Sequence, residues 1–173
     1  RIFVHKKKGY CRWIDIFENP TGSAISVSLR YYSNMGASTR RTHTSSGGTS
    51  LKGKDWGIVT DGASNSSRPA IVHVFATPNA KQRPSFQHNN SDSLYYNLTL
   101  KVPAKETVAL CLFEAQRRPY KEAVKFLKDF SPRRELGMVS PALRRIILNM
   151  AGASLSLGGI GLDRRESAEL LVT

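Results

Sequence analysis

Across residues 107–115, Val108, Leu110 and Leu112 alternate with Ala109, Cys111 and Phe113, so a strand here is apolar on both faces. Successive strand side chains point to opposite faces, and a strand with two apolar faces needs a cover on each. One cover must be an opposing sheet, and the apolar stripes of the helices that follow are candidates for the other. This demand restricts the chain to a layered, mainly β architecture.

The other strand signals agree. Over residues 25–31, Ile25, Val27, Leu29 and Tyr31 fall on one side and Ser26, Ser28 and Arg30 on the other, the pattern of a half-buried strand with one wet face. Residues 11–17 (CRWIDIF), 55–60 (DWGIVT), 70–76 (AIVHVFA) and 94–102 read as further strands, with shorter ones at 1–5 and 41–44. Asn19-Pro20-Thr21-Gly22 reads as a turn, because proline presets φ and glycine accepts a positive one. Segments 45–48, 61–69 and 77–93 read as polar loops, and 103–106 joins the last two strands as a hairpin. Seven to nine strands at this spacing predict an antiparallel β-sandwich, immunoglobulin-like or jelly-roll-like.

Two helices follow. Over 120–130, Tyr120, Ala123, Val124, Leu127 and Phe130 form one stripe and Lys121, Glu122, Lys125 and Lys128 the other. The second, over 140–150, opens with Ser140 as N-cap and Pro141 at the first helical position, and Gly152 ends it. Both are expected to pack on the sandwich. The domain is read as residues 1–152, with 153–173 a tail or the start of a next module. Arg1 in place of Met, and the apolar ending Leu170-Leu171-Val172, read as cuts through a larger polypeptide.

The chain has 173 residues and a formal charge of +13, from 26 Lys and Arg against 13 Asp and Glu. Such a surface attracts polyanions in a salt-dependent way. The basic doublets are scattered, at Arg40-Arg41, Arg117-Arg118, Arg133-Arg134, Arg144-Arg145 and Arg164-Arg165, besides Lys6-Lys7-Lys8. No nucleic-acid-reading motif accompanies them, so sequence-specific nucleic acid is not an expected partner. No apolar run is long enough for a membrane-spanning helix.

Cys11 and Cys111 read as two buried thiols, with a disulfide in an exported protein as the alternative. Of His5, His43, His73 and His88, none is spaced with another for a metal, although a site built across strands from His43, His73 and an Asp stays open. No metal or cofactor is expected. Nucleophile motifs are absent from the sequence, and Ser45-Ser46-Gly47-Gly48 resembles a phosphate nest in composition only. Asp15 and Glu114 each lie in an otherwise apolar strand, where a carboxylate must pair or its pKa rises. Arg12, Arg30 and Arg117 are the expected ion-pair partners, with catalysis as the lesser reading. Trp56 and Phe86, beside Arg83 and His88, are the candidate ligand-binding residues for an anionic glycan. Tyr31 and Tyr32 are further stacking candidates, while Trp13 is assigned to the core. Asn65, Asn89 and Asn97 open glycosylation sequons.

The run WIDIFENPTGSAISVSLRYYSNMG resembles a strand–NPT turn–strand pattern found in large exported bacterial proteins, where a β-sandwich sits among other extracellular modules. TSSGG, DWGIVTDG, RPAIVHVFA, SLYYNLTLKVPAKETVALCLFEAQ and PALRRIILNMAG are similar to the rest of that pattern in the same order. The resemblance spans roughly residues 10–152. It implies an exported (periplasmic, cell-surface or secreted) modular context, with other domains of the same polypeptide as partners, and it implies no site residues. The resulting expectation is a non-catalytic structural or interaction module. A carbohydrate- or polyanion-binding module is the alternative, and a hydrolase built across strands is the third.

Overall fold

A computed structural model describes residues 1–36, 38–62, 68–90 and 92–152, with side chains outside the description over 86–90. The expected tail 153–173 and Asn65 lie outside the described residues. The chain is mainly β, and its two sheets are antiparallel. Strands β1 (Ile2–His5), β2 (Tyr10–Glu18), β4 (Arg41–Thr44), β5 (Gly57–Asp61), β6 (Ala70–Val74) and β9 (Thr107–Arg117) form a six-stranded sheet in the order β1-β2-β9-β6-β5-β4. Strands β3 (Ile25–Asn34), β8 (Ser93–Val102) and β7 (Ser85–Asn90) form a three-stranded sheet in the order β3-β8-β7. Three short helices follow: α1 (Tyr120–Lys128), α2 (Pro132–Glu135) and α3 (Pro141–Ile146).

The two apolar faces of β9 are both buried, each in its own way. Val108 and Leu110 share a cluster with Leu98, Leu100 and Val102 of β8, and Leu112 lies in one with Leu94 and Tyr96. Ala109, Cys111, Phe113 and Ala115 share a third cluster with Val72 and Val74 of β6, Ala123 and Leu127 of α1, and Leu143 of α3. Leu110, Leu100 and Leu127 are fully buried, each worth about 1.5–3 kcal/mol in transfer free energy.

Three buried polar side chains clip loops to strands. Asn19 donates through Nδ2 to the carbonyls of Ser23, Val102 and Pro103 at 2.8, 3.1 and 2.9 Å, and accepts at Oδ1 from Thr21 N at 3.0 Å. It thereby ties the β2–β3 turn to the β8–β9 hairpin. Asp55 accepts from Ser45 Oγ and Ser46 N at 3.1 and 2.8 Å, and from Lys52 N at 2.8 Å. Burial pushes its carboxyl up, but these hydrogen bonds outweigh that and hold it below the usual carboxylate range. The Ser45–Gly48 loop is thus organised around an internal carboxylate, where a phosphate nest would receive its anion. Asn149 accepts from Cys111 N at 2.8 Å and donates to the carbonyls of Cys111 and Phe75 at 2.6 and 2.9 Å, continuing the β6–β9 ladder by means of a side chain.

Several expectations are corrected. Segment 77–93 is not all loop, since Ser85–Asn90 forms β7 against β8 despite its polar sequence. It is an edge strand, so its outer backbone groups are free to be solvated. The second helix stops at Ile146, because Ile147 turns extended and bridges Ala109, and Leu148 N donates to Ala109 O at 2.9 Å. Helix α2 was not anticipated; four residues carry too little periodicity to read. The alternation in β3 is present, but Val27, Leu29 and Tyr31 are only half-buried and Ile25 is 37% exposed. The reason is that β3 is an edge strand whose one partner is β8. Finally, Arg144 of the Arg144-Arg145 doublet is buried, at 5% exposed, and so adds little to the basic surface.

Candidate functional site

The polar anomalies in the apolar strands meet in one place. On β2, Trp13 and Asp15 face the same side of the six-stranded sheet as Leu112 and Glu114 of β9, because Trp13 pairs with Leu112 and Asp15 with Leu110. His73 of β6 is the direct register partner of Glu114. Across from them, Tyr31 of β3 and Tyr96 of β8 are register partners whose rings stack at 5.3 Å. Together with Tyr32 and Ser33 these residues line a pocket of about 240 Å³ between the two sheets.

Charges and hydrogen bonds in the pocket are arranged in two pairs. Tyr31 donates its hydroxyl to Asp15 Oδ2 at 2.8 Å. His73 Nδ1 lies 3.0 Å from Glu114 Oε1. A carboxylate only accepts, so the proton of this bond sits on Nδ1 and Nε2 of a neutral ring is an acceptor. His73 is 3% exposed, and its Nε2 has no hydrogen-bond partner among the described residues. Burial raises the Glu114 carboxyl, but hydrogen bonds from His73 and Ser33 outweigh it, so Glu114 stays ionised below the usual range. Burial raises the Tyr31 hydroxyl, and so do its bond to Asp15 and that residue's charge. Tyr96 is raised by burial and by the fields of Tyr31, Glu114 and Asp15, so both carboxylates act on the same hydroxyl.

The expected arginine partners are therefore elsewhere. Arg12 points to the other face, over the Phe3 ring at 4.6 Å, and donates to Glu135 O at 3.2 Å. Arg30 donates to Asn97 Oδ1 at 3.1 Å, and Arg117 sits over the Phe126 ring at 4.4 Å. The signal for the real pairing was present in the sequence as three inward polar residues in apolar strands, Asp15, His73 and Glu114. Their adjacency was not, since it depends on strand order.

Trp56 is half-buried, with its ring 6.2 Å from that of Phe130. Arg83 donates to the carbonyls of Thr77 at 3.1 Å and of Pro78, and it borders a wide, shallow groove with Ser28, Arg30 and Asn97. Trp56 is not part of that groove's lining. Phe86 and His88 belong to β7, Phe86 opposite Tyr96 in register, and their side chains lie outside the description, as does that of Asn89. Tyr32 is exposed and hydrogen-bonds Ser93 Oγ at 3.2 Å.

The metal alternative also meets the geometry. His43 pairs with Val59 and His73 with Ile58, so the two histidines occupy opposite faces of one sheet. Among the described residues no group of three or more His, Cys, Asp or Glu is placed to hold a metal ion. His5 instead accepts from Lys7 N and Lys8 N at 3.2 and 3.1 Å in the β1–β2 turn. Cys11 and Cys111 are free thiols on opposite faces of adjacent strands, Cys11 opposite Glu114 and Cys111 opposite Ile14. Burial, then the charge of Glu114, pushes Cys11 up to about 11, so it is a poor nucleophile. Among the described residues no helix is long and apolar enough to cross a membrane. In comparisons with known proteins, no family model and no curated protein matches this chain.

Proposed function

We propose that this protein is a non-catalytic interaction module that takes a small polar ligand in the inter-sheet pocket. The observation that carries this reading is His73 Nε2, a buried ring nitrogen with no partner among the described residues, on a residue of the pocket lining. A buried polar group without a partner costs roughly 1–3 kcal/mol, and a ligand that donates to it recovers that energy. The scaffold is read as a β-sandwich of immunoglobulin-like or jelly-roll-like type, with its helices packed on the outer face of the larger sheet. Its place in a larger exported polypeptide rests on the resemblance of the strand and turn motifs.

A hydrolase is the second reading, and one observation favours it. A histidine held by a carboxylate, with its second nitrogen unoccupied, is also a general base. Against it, the serine in the lining, Ser33, hydrogen-bonds Glu114, so no hydroxyl nucleophile is held at Nε2 among the described residues. Binding of a polyanion has support of a different kind, in the overall charge of +13 and in the groove bordered by Arg30 and Arg83.

The test is a titration, followed by NMR, of the protein with a library of neutral sugars, organic cations, organic anions and heparin oligosaccharides. Saturable shifts at Tyr31, His73, Tyr96 and Glu114, lost in His73→Phe, are expected. Shifts confined to Arg30, Arg83 and Trp56 would transfer the function to the basic surface. Turnover of chromogenic esters or glycosides, abolished by His73→Phe, would make the protein a hydrolase.

A further inference from the structure

We propose that the inter-sheet pocket is selective for an organic cation, an ammonium or quaternary ammonium head group. This deepens, and rests on, the reading of that pocket as the ligand site. The first ground is its charge. Basic residues outnumber acidic ones by 26 to 13 in this chain, yet the pocket is lined by two carboxylates and by no lysine or arginine. Glu114 accepts from the N–H of a neutral His73 imidazole, and Asp15 accepts from a neutral tyrosine hydroxyl. Neither draws on the plentiful arginines, so negative charge is left over for a ligand.

The second ground is the wall. Trp13, Tyr31 and Tyr96 bring three aromatic side chains to the same pocket, and a cation set against aromatic faces is drawn by their quadrupoles, more strongly where water is excluded. The third ground is the unpartnered His73 Nε2, a buried acceptor on a side chain of the lining. Two carboxylates and an imidazole lone pair are all acceptors, so the ligand must bring donors, positive charge or both. An anion would face repulsion from Asp15 and Glu114. A neutral sugar would satisfy the acceptors without using the charge.

The experiment is calorimetric and NMR titration of the whole chain with choline and butylamine. Dimethylbutanol, the uncharged isostere of choline, with glucose and acetate serve as comparisons. Either cation is expected to bind at least about tenfold more tightly than the isostere, a factor in keeping with cation–π and charge terms at a partly desolvated site. The shifts should fall on Tyr31, Tyr96 and His73. Asp15→Asn and Glu114→Gln, each checked for an unchanged fold by circular dichroism, are expected to lower that preference severalfold, read as the ratio of cation to isostere affinity within the same variant. If one variant fails to fold, the other carries the comparison.

Equal binding of isostere and cations, or a preference for glucose, overturns the cation assignment and leaves the pocket as the ligand site. Absence of pocket shifts with every one of these probes, as well as with the wider library, removes the site itself.

Discussion

His73 Nδ1 stands 3.0 Å from Glu114 Oε1, the two being direct partners across the β6–β9 ladder and turned toward the three-stranded sheet. The pairing has a pH consequence of definite sign. Burial raises Glu114, but His73 and Ser33 lower it further, so its folded pKa lies below the unfolded one. The contribution is therefore fully present above the unfolded carboxylate value of about 4.3 and is lost as pH falls through the folded value. A carbon-detected titration of the Glu114 carboxyl should give a midpoint below that of a model glutamate. A midpoint above it would mean that burial dominates and the pair is not formed.

Asp55 is the hub of the loop that carries Ser45 and Ser46, and three donors converge on it. Asp55→Ala should cost about 3 kcal/mol, since it strands buried donors that had a charged acceptor. Urea denaturation measures this directly. A loss below about 0.5 kcal/mol would show that water replaces the carboxylate freely.

Gly57 begins β5 beneath helix α1. A Cβ there would stand 2.6 Å from Leu127 Cδ1 and 2.8 Å from the His73 carbonyl oxygen. The leucine can move, but the backbone oxygen belongs to the β5–β6 ladder and cannot move without disturbing it. Gly57→Ala should therefore destabilise by about 1–3 kcal/mol, in contrast to Gly22→Ala, whose Cβ meets nothing within 4 Å. Equal melting temperatures for the two variants would show that the close approach is relaxed in solution.

A chain ending at Gln116 would lose Ala123, Leu127, Leu136, Val139, Leu143, Ile147 and Met150, all members of the cluster that holds Phe113 and Val72. That truncated chain should be poorly soluble and should bind a hydrophobic dye through its newly exposed sheet face. Cooperative melting at the temperature of the full chain would establish the helices as an independent unit.

Much of the strand inventory was legible in the sequence, for a local reason. The period of two in Ile25–Tyr31 and the doubled period in β9 follow from the geometry of a single strand, and burial of the apolar side is demanded whatever the neighbours are. Ser140-Pro141 likewise announced α3, where the Ser140 side chain accepts from Leu143 N, because capping involves residues three apart.

What the sequence could not decide were features whose cause lies in another segment. The polar run Ser85–Asn90 becomes β7 because β8 offers it a free edge. Ile147 leaves the helix because β9 and the amide of Asn149 offer its segment a better set of hydrogen bonds. The pocket is the clearest case. Trp13, Tyr31, His73, Tyr96 and Glu114 come from five strands, and alternation says which face each occupies but not which strand lies alongside. Strand order, β2 beside β9 and β9 beside β6, set Glu114 against His73 instead of an arginine. That order was decided by the tertiary structure, because it is the joint burial of all the strands that selects it.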